Sequence, residues 1–177
     1  DAGPKDLSNT VRLLWLTPAY DRLFAGSAGD RRKFLDRLVF AVAPEHASQA
    51  SLYEKAIRER SRLLEDSRYD TRWLSLIEAD AAAAGTALAV ARLEAVDALQ
   101  YEIDHRPEGA FPKAMLTLEG SLETALHAIP NAALVEAQFA KTLHDNRTRD
   151  SQAGRTLDGP HRSDLSALHA PTGMAAQ

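Results

Sequence analysis

Thr71-Arg72-Trp73-Leu74-Ser75-Leu76-Ile77-Glu78-Ala79-Asp80-Ala81-Ala82-Ala83-Ala84-Gly85-Thr86-Ala87-Leu88 opens the stretch that decides the fold. Leu74, Ile77, Ala81, Ala84, Leu88, Ala91, Ala95 and Ala98 step alternately by three and four residues. That is an a/d seam held over about three heptads, the pattern of a helix packed along another helix. A helix from Thr71 to His105 would be on the order of 50 Å long at about 1.5 Å per residue. Alanine at most seam positions lets a partner approach closely while supplying little apolar area. Gly85, which costs about 1 kcal/mol against alanine in a helix, is the expected weak point. The simplest partner is the preceding helix, which makes an antiparallel hairpin turning at Asp66-Ser67-Arg68-Tyr69-Asp70.

Working outward, Tyr53, Ala56, Ile57, Arg60 and Leu64 form one face of that preceding helix, opposite Glu54, Lys55, Arg58, Glu59 and Arg62. The interleaving of Arg58, Arg60 and Arg62 with acids reads as an exposed, salt-bridged surface. Before it, Phe34, Leu35, Leu38, Val39 and Val42 make an apolar face that Pro44 ends, with Asp30 expected as the N-cap. Val11 to Leu16, closed by Thr17-Pro18, reads as a short buried strand. After the long helix, Pro107-Glu108-Gly109 is a break and Met115 to Glu119 a short strand ended by Gly120. Pro130-Asn131 opens a last helix that runs to about Ala153 and meets Gly154 as its cap. Leu165 to Leu168 is a candidate final strand. The fold class expected is mainly α: a long antiparallel helical, coiled-coil-like arm with a few short strands.

Composition limits the function classes. The 177 residues are 45% hydrophobic and 26% charged, so a packed core is expected and disorder throughout is not. The net charge of −4 argues against a generally basic nucleic-acid binder, although local basic stretches remain. The absence of cysteine excludes disulfides, thiolate zinc sites and cysteine nucleophiles, and suits a reducing cytoplasm. No uninterrupted apolar run approaches roughly 20 residues, and no signal-peptide pattern opens the chain, so no membrane is expected. The ends, Asp1 and the Gly-Met-Ala-Ala-Gln tail, read as cut from a longer protein. The histidines form no H-E-x-x-H, so no metal site is expected. His161, Ser163 and Asp164 lack a nucleophile elbow and three sequence neighbours rarely converge, so no hydrolase triad is read there.

Two motifs carry a recognisable pattern. The first is Pro18-Ala19-Tyr20-Asp21-Arg22-Leu23-Phe24-Ala25-Gly26-Ser27-Ala28-Gly29-Asp30-Arg31-Arg32-Lys33-Phe34-Leu35-Asp36. The second is Gly154-Arg155-Thr156-Leu157-Asp158-Gly159-Pro160-His161-Arg162-Ser163-Asp164-Leu165. Together they resemble the RecF family, carried by Pro18, Gly26, Ser27, Arg31, Arg32, Phe34 and Asp36 and then by Gly159, Pro160, His161, Arg162 and Asp164. The departures are Ala19 in place of the family's usual acid, Ala28 in place of proline, and Asp158 at a commonly apolar position.

The resemblance implies a DNA replication, repair and recombination protein of the SOS response, with an SMC/ABC-like ATPase head. The full-length protein would bind ATP with Mg, act as a weak DNA-dependent ATPase and dimerise when ATP is bound. It would bind gapped DNA or single-strand/duplex junctions and help RecO and RecR load RecA, in the cytoplasm at the nucleoid. Residues 1–29 would be strand and loop from the head, 30–153 a helical arm or lid, and 154–177 a return segment into the head. A P-loop, G-x-x-x-x-G-K-[ST], does not occur in the sequence. In the family it would precede Asp1, with the signature and Walker B motifs following Gln177, so the fragment itself is expected to be non-catalytic and to hold no cofactor. Thr17, Pro18, His161 and Arg162 are the nucleotide-proximal candidates. Arg31, Arg32, Lys33 and Arg37 are the candidate DNA contacts.

Plainer readings stand beside these. The basic cluster can be a solvated face, with Asp36 pairing to Arg32 or Arg37. Arg162 and Asp164 can form a buried pair fixing the return of the chain. From a different class of function, the alanine-rich hairpin can be a freestanding scaffold that binds protein.

Overall fold

A computed structural model describes residues 20–66, 70–109 and 112–176. The expected strand at Val11 to Leu16, with Thr17 and Pro18, lies outside the described residues, as does the centre of the expected turn at 67–69. The architecture is mainly α. In chain order the elements are α1 (Ala28–Val42), α2 (His46–Glu65), α3 (Thr71–His105), β1 (Ala114–Glu119), α4 (Ser121–Ala128), α5 (Ala132–Asp145), α6 (Arg147–Ala153), a 3-10 turn (Pro160–Arg162), β2 (Asp164–His169) and β3 (Met174–Ala175). They form two compact units, one from residues 47–90 and 120–162, the other from the described parts of 1–46, 91–119 and 163–177.

The first unit is all helix. Its antiparallel pairing is legible from two contacts: Arg60 of α2 reaches Glu78 of α3, and Tyr53, two turns earlier, lies against Gly85, two turns later. The seam residues Ile77, Ala81, Ala84 and Leu88 are buried with Tyr53, Ala56, Leu122, Val135, Phe139 and Leu143. Gly85 proves to be a packing requirement rather than a weak point. A Cβ there would lie 2.9 Å from Tyr53 Cε2 and 3.0 Å from Phe139 Cε1, so the missing methyl is what admits both rings. By length and composition α3 could cross a membrane. However, 56% of its most apolar window is buried within the protein, where it serves as core.

The second unit is α1 and the end of α3 with a three-stranded antiparallel sheet, order β1-β2-β3. Leu118 pairs with Leu165 and Leu116 with Ala167 across β1 and β2. Leu118 and Leu165 are buried with Leu35 and Val39 of α1 and Val96 of α3. Along β1, Gln100 accepts a bond from Leu116 N at 2.8 Å and donates to Ala114 O at 3.2 Å. A side-chain amide thus stands in for a neighbouring strand and covers polar backbone that would otherwise invite pairing.

Several expectations need correction. Ser27, not Asp30, caps α1: its Oγ accepts from Asp30 N, and Asp30 returns its carboxylate to Ser27, a reciprocal capping box. The long last helix is two helices, broken at Asn146, whose side chain donates to Asp158. Gly154 ends α6 in the left-handed conformation expected of it, at φ 64°. Helix α4 and strand β3 were not anticipated; the first is a single two-turn helix and the second only two residues long, too short for a periodic signal.

Candidate functional site

The first motif is held to the second by its arginines. From the first turn of α1, Arg31 grips Asp164 at the start of β2 with both arms, Nε to Oδ1 at 2.7 Å and Nη2 to Oδ2 at 2.8 Å. Its third nitrogen donates to Gly26 O and Phe24 O, which shapes the loop before the helix. Arg32 donates to Ser163 O at 2.6 Å. Hydrogen bonding from Arg31 holds the Asp164 carboxyl below its usual range, and the same bond raises the Arg31 guanidinium. Both arginines are therefore structural donors here. The expected Arg162–Asp164 pair does not form. Asp164 is taken by Arg31, and Arg162 is exposed without a side-chain hydrogen bond or ion pair among the described residues.

Asp36 also has a different partner from those expected. It receives a two-armed bond from Arg92 of α3 at 2.7 and 2.8 Å, and His46 Nε2 lies 2.9 Å away. Burial opposes its ionisation, but the His46 and Arg92 hydrogen bonds prevail and hold its pKa at about 2. Arg37 instead bonds the Tyr20 hydroxyl and lies over that ring, while Phe34 meets the same ring at a centroid distance of 5.2 Å. Lys33 is exposed. The basic cluster is thus divided. Arg31 and Arg32 are spent on Asp164 and on Ser163 just before β2, whereas Lys33 and Arg37 line a cavity with Tyr20, Arg22, Leu23, Gly26 and Asp30.

In the all-helical unit, Gly159, Pro160 and His161 close on Tyr53. His161 Nε2 lies 3.0 Å from Thr156 O, and a carbonyl only accepts, so Nε2 carries the hydrogen. Nδ1 then accepts from the Tyr53 hydroxyl at 2.6 Å. Gly159 has φ 130°, and a Cβ on it would fall 2.3 Å from Tyr53 Oη and 3.0 Å from Phe139 Cζ. Only glycine satisfies both demands.

Beneath this corner lies a buried ion network. Arg60, at 0% exposure, donates to Glu78, Asp150, Thr156 Oγ1 and Leu143 O. Arg147 completes the charge balance with bonds to Glu78. The reading of Arg60 as an exposed salt-bridge residue is therefore overturned. The sequence held the signal, because Arg60 falls in the apolar row of Tyr53, Ala56, Ile57 and Leu64. Glu78, Arg92, His46, Asp150 and Tyr53 were not singled out as partners, since their counterparts lie between 10 and 108 residues away.

No metal cluster occurs among the described residues. A nucleotide's phosphates need a run of adjacent glycine amides. Among the described residues the positive-φ glycines are Gly154, Gly159 and Gly173, far apart in sequence, and the side of Gly159 is occupied by Tyr53 and Phe139. These residues do not make a cradle for ATP.

No family model matches the chain. It is 49% identical over 174 residues to the DNA replication and repair protein RecF of Mesorhizobium japonicum, covering 98% of this chain and 46% of that protein. It is 47% identical over 176 residues to RecF of Brucella abortus and 46% identical over 173 residues to RecF of Rhizobium etli. The chain spans about half the length of the curated relatives it matches. A solved structure of the recombination mediator protein RecF-ATP in the RecFOR pathway superposes with a TM-score of 0.78 over 90% of this chain and 43% of the other. A second, of RecF-ATPrS, superposes with a TM-score of 0.76. Both are 19% identical, a likeness of fold. With sequence identity near one half over almost all of its residues and the same fold, the chain belongs to the RecF family.

Proposed function

We propose that this chain is the section of a RecF-type DNA-repair ATPase that lies between the two halves of its ATP site. The whole protein binds ATP with Mg, dimerises when ATP is bound, engages gapped or junction DNA, and works with RecO and RecR to load RecA in the cytoplasm. The observation that carries this reading is the 46–49% identity to RecF proteins over 97–99% of the chain. The sheet-bearing unit is then part of the ATPase head, and the all-helical unit is the arm. This moves α1, the end of α3 and β1 from the arm to the head, and residues 154–162 from the return segment to the arm, following the two units and the pairing of β1 with β2. Residues 20–29 stay with the head and the unit's third segment returns the chain to it. Of the two nucleotide-proximal candidates among the described residues, His161 is engaged with Tyr53, and Arg162 offers an exposed guanidinium to a nucleotide or a dimer partner. The scaffold reading loses support because the alanines it needs are consumed internally, with Ala81, Ala82 and Ala89 at 0% exposure.

The sequence has no G-x-x-x-x-G-K-[ST] string, and on this reading the chain by itself does not hydrolyse ATP. Its net charge of −4 makes it a weak DNA binder, with a dissociation constant of roughly 10⁻⁶ M or weaker at physiological salt. Fluorescence anisotropy with a gapped duplex at two salt concentrations, beside calorimetry with Mg-ATP, tests both statements. Weak DNA binding that falls steeply with salt, and no micromolar ATP isotherm, are the results expected. Nanomolar, salt-insensitive DNA binding or saturable micromolar ATP binding would overturn the assignment.

A further inference from the structure

From Thr156 to Arg162 the chain is fastened, almost residue by residue, to the helices of the all-helical unit. Arg60 of α2 donates to Thr156 Oγ1 at 2.8 Å, and Asp150 of α6 accepts from Leu157 N at 3.2 Å. The Asp158 carboxylate is taken by Asn146 and Arg149. Gly159 and Pro160 are buried, and Gly159 lies so close to Tyr53 and Phe139 that it has no room for a Cβ. Both ring nitrogens of His161 are then used, Nε2 on Thr156 O and Nδ1 on the Tyr53 hydroxyl. The 3-10 turn closes with Arg162 N donating to Gly159 O at 2.9 Å. At the end of this well-anchored stretch stands the exposed guanidinium of Arg162, which forms no hydrogen bond or ion pair among the described residues.

Helix α2 thus grips the stretch twice, at Arg60 and, two turns earlier on the same face, at Tyr53. The Arg60 contact belongs to the buried ion network, where pairing of charge explains it. The Tyr53 contact needs a different reason. A phenylalanine ring would pack beside Gly85 and Phe139 just as well, so the hydroxyl is not what fills that space. What the hydroxyl adds is direction. An imidazole pinned at both nitrogens cannot turn, and it belongs to the residue next to Arg162. A long, flexible guanidinium loses less on binding when the backbone beneath it is already set. We infer that Tyr53 is a positioning residue for Arg162: through His161 it holds the turn that presents the guanidinium in the ATP-dependent step. The inference rests on the reading of Arg162 given above and adds to it the arm residue that sets its direction.

The test is a double-mutant cycle in the whole RecF-type protein that contains this chain, read as ATP-driven dimerisation by analytical ultracentrifugation. Arg162→Gln should weaken dimerisation about tenfold or more, as expected for loss of a charge-assisted contact. Tyr53→Phe should weaken it about three- to tenfold, because losing one hydrogen bond lowers the population of the competent orientation by roughly that factor. Tyr53→Phe combined with Arg162→Gln should be no weaker than Arg162→Gln alone, since direction is irrelevant once the guanidinium is gone. A merely structural Tyr53 would weaken both backgrounds alike. A second cycle with His161→Leu in place of Tyr53→Phe breaks the same bond from its other side and should show the same non-additivity. Circular dichroism establishes that each variant is folded. Dimerisation of Tyr53→Phe equal to wild type, or losses that add in the double variant, overturns the positioning role and leaves the Arg162 reading standing. ATP-driven dimerisation that is absent from the wild type, or unchanged in Arg162→Gln, overturns that reading and the inference with it.

Discussion

Each unit of this protein holds an ion cluster centred on a buried arginine, Arg60 in one and Arg92 in the other, and the two clusters are built alike but placed differently. In the all-helical unit, Arg60, Glu78 and Asp150 are at most 3% exposed. In the sheet-bearing unit, Arg92 and His46 are buried, yet the Asp36 carboxylate that joins them keeps 30% of its side-chain surface open. Water can therefore take over part of the task when a partner of Asp36 is lost, whereas Asp150, at 1% exposure, has no such recourse when Arg60 is lost. Ion pairing of the same chemistry should be far more costly to break in the drier cluster.

The largest expected effect is that of Arg60→Ala, which takes from the buried Asp150 its close cation, leaves Glu78 to Arg147, and should cost about 3–5 kcal/mol. Urea unfolding measures it; a loss below about 1 kcal/mol would mean that water enters the cluster and that the two clusters are not distinct. Gly159→Ala should follow, at about 2–4 kcal/mol. The new methyl is strained at φ 130° and must displace Tyr53 and Phe139 from the same dry core. A crystal structure of the variant would show the Tyr53–His161 bond broken. The smallest effect belongs to the wetter cluster and is a pH dependence. The folded-state pKa of Asp36 is depressed from 3.8 to about 2, so its contribution is complete above the unfolded value and is lost as pH falls from about 4 through about 2. It amounts to about 2 kcal/mol. Asp36→Asn should remove that much of the acid sensitivity between those pH values, as read by unfolding at pH 5 and pH 2. An unchanged pH profile would show that His46 and Arg92 do not hold the carboxylate in solution.

The sequence was most legible where the chain repeats a period. The a/d steps from Leu74 to Ala98 located α3 at Thr71–His105, and the alternation before Gly120 located β1. Gly154 announced the end of α6 because the left-handed cap has so few alternatives to glycine. Legibility failed where the decisive atom lies far along the chain. Asp36 has Arg32 and Arg37 as near neighbours, and local spacing favours them. In the fold, α1 turns Asp36 toward Arg92, which lies 56 residues on. Arg162 and Asp164 are two residues apart, yet Arg31 arrives from 133 residues away with a better two-armed geometry.

By itself the sequence determined the helical class, the hairpin, the absence of a G-x-x-x-x-G-K-[ST] string and the two motifs that mark the family. Each of those depends on residue order alone: a period, a missing glycine-lysine string, or a fixed spacing. The tertiary structure decided which partner or surface each cation meets. Arg31 and Arg32 look the same in sequence as Lys33 and Arg37, but one helix turn sets their directions about 100° apart per residue, so two face β2 and two face a cavity. It likewise decided that Gly85 and Gly159 serve one purpose, since both make room for the same two rings, Tyr53 and Phe139. Such a coincidence is set by packing in three dimensions, because the size of a side chain that fits at one position depends on atoms delivered there by distant parts of the chain.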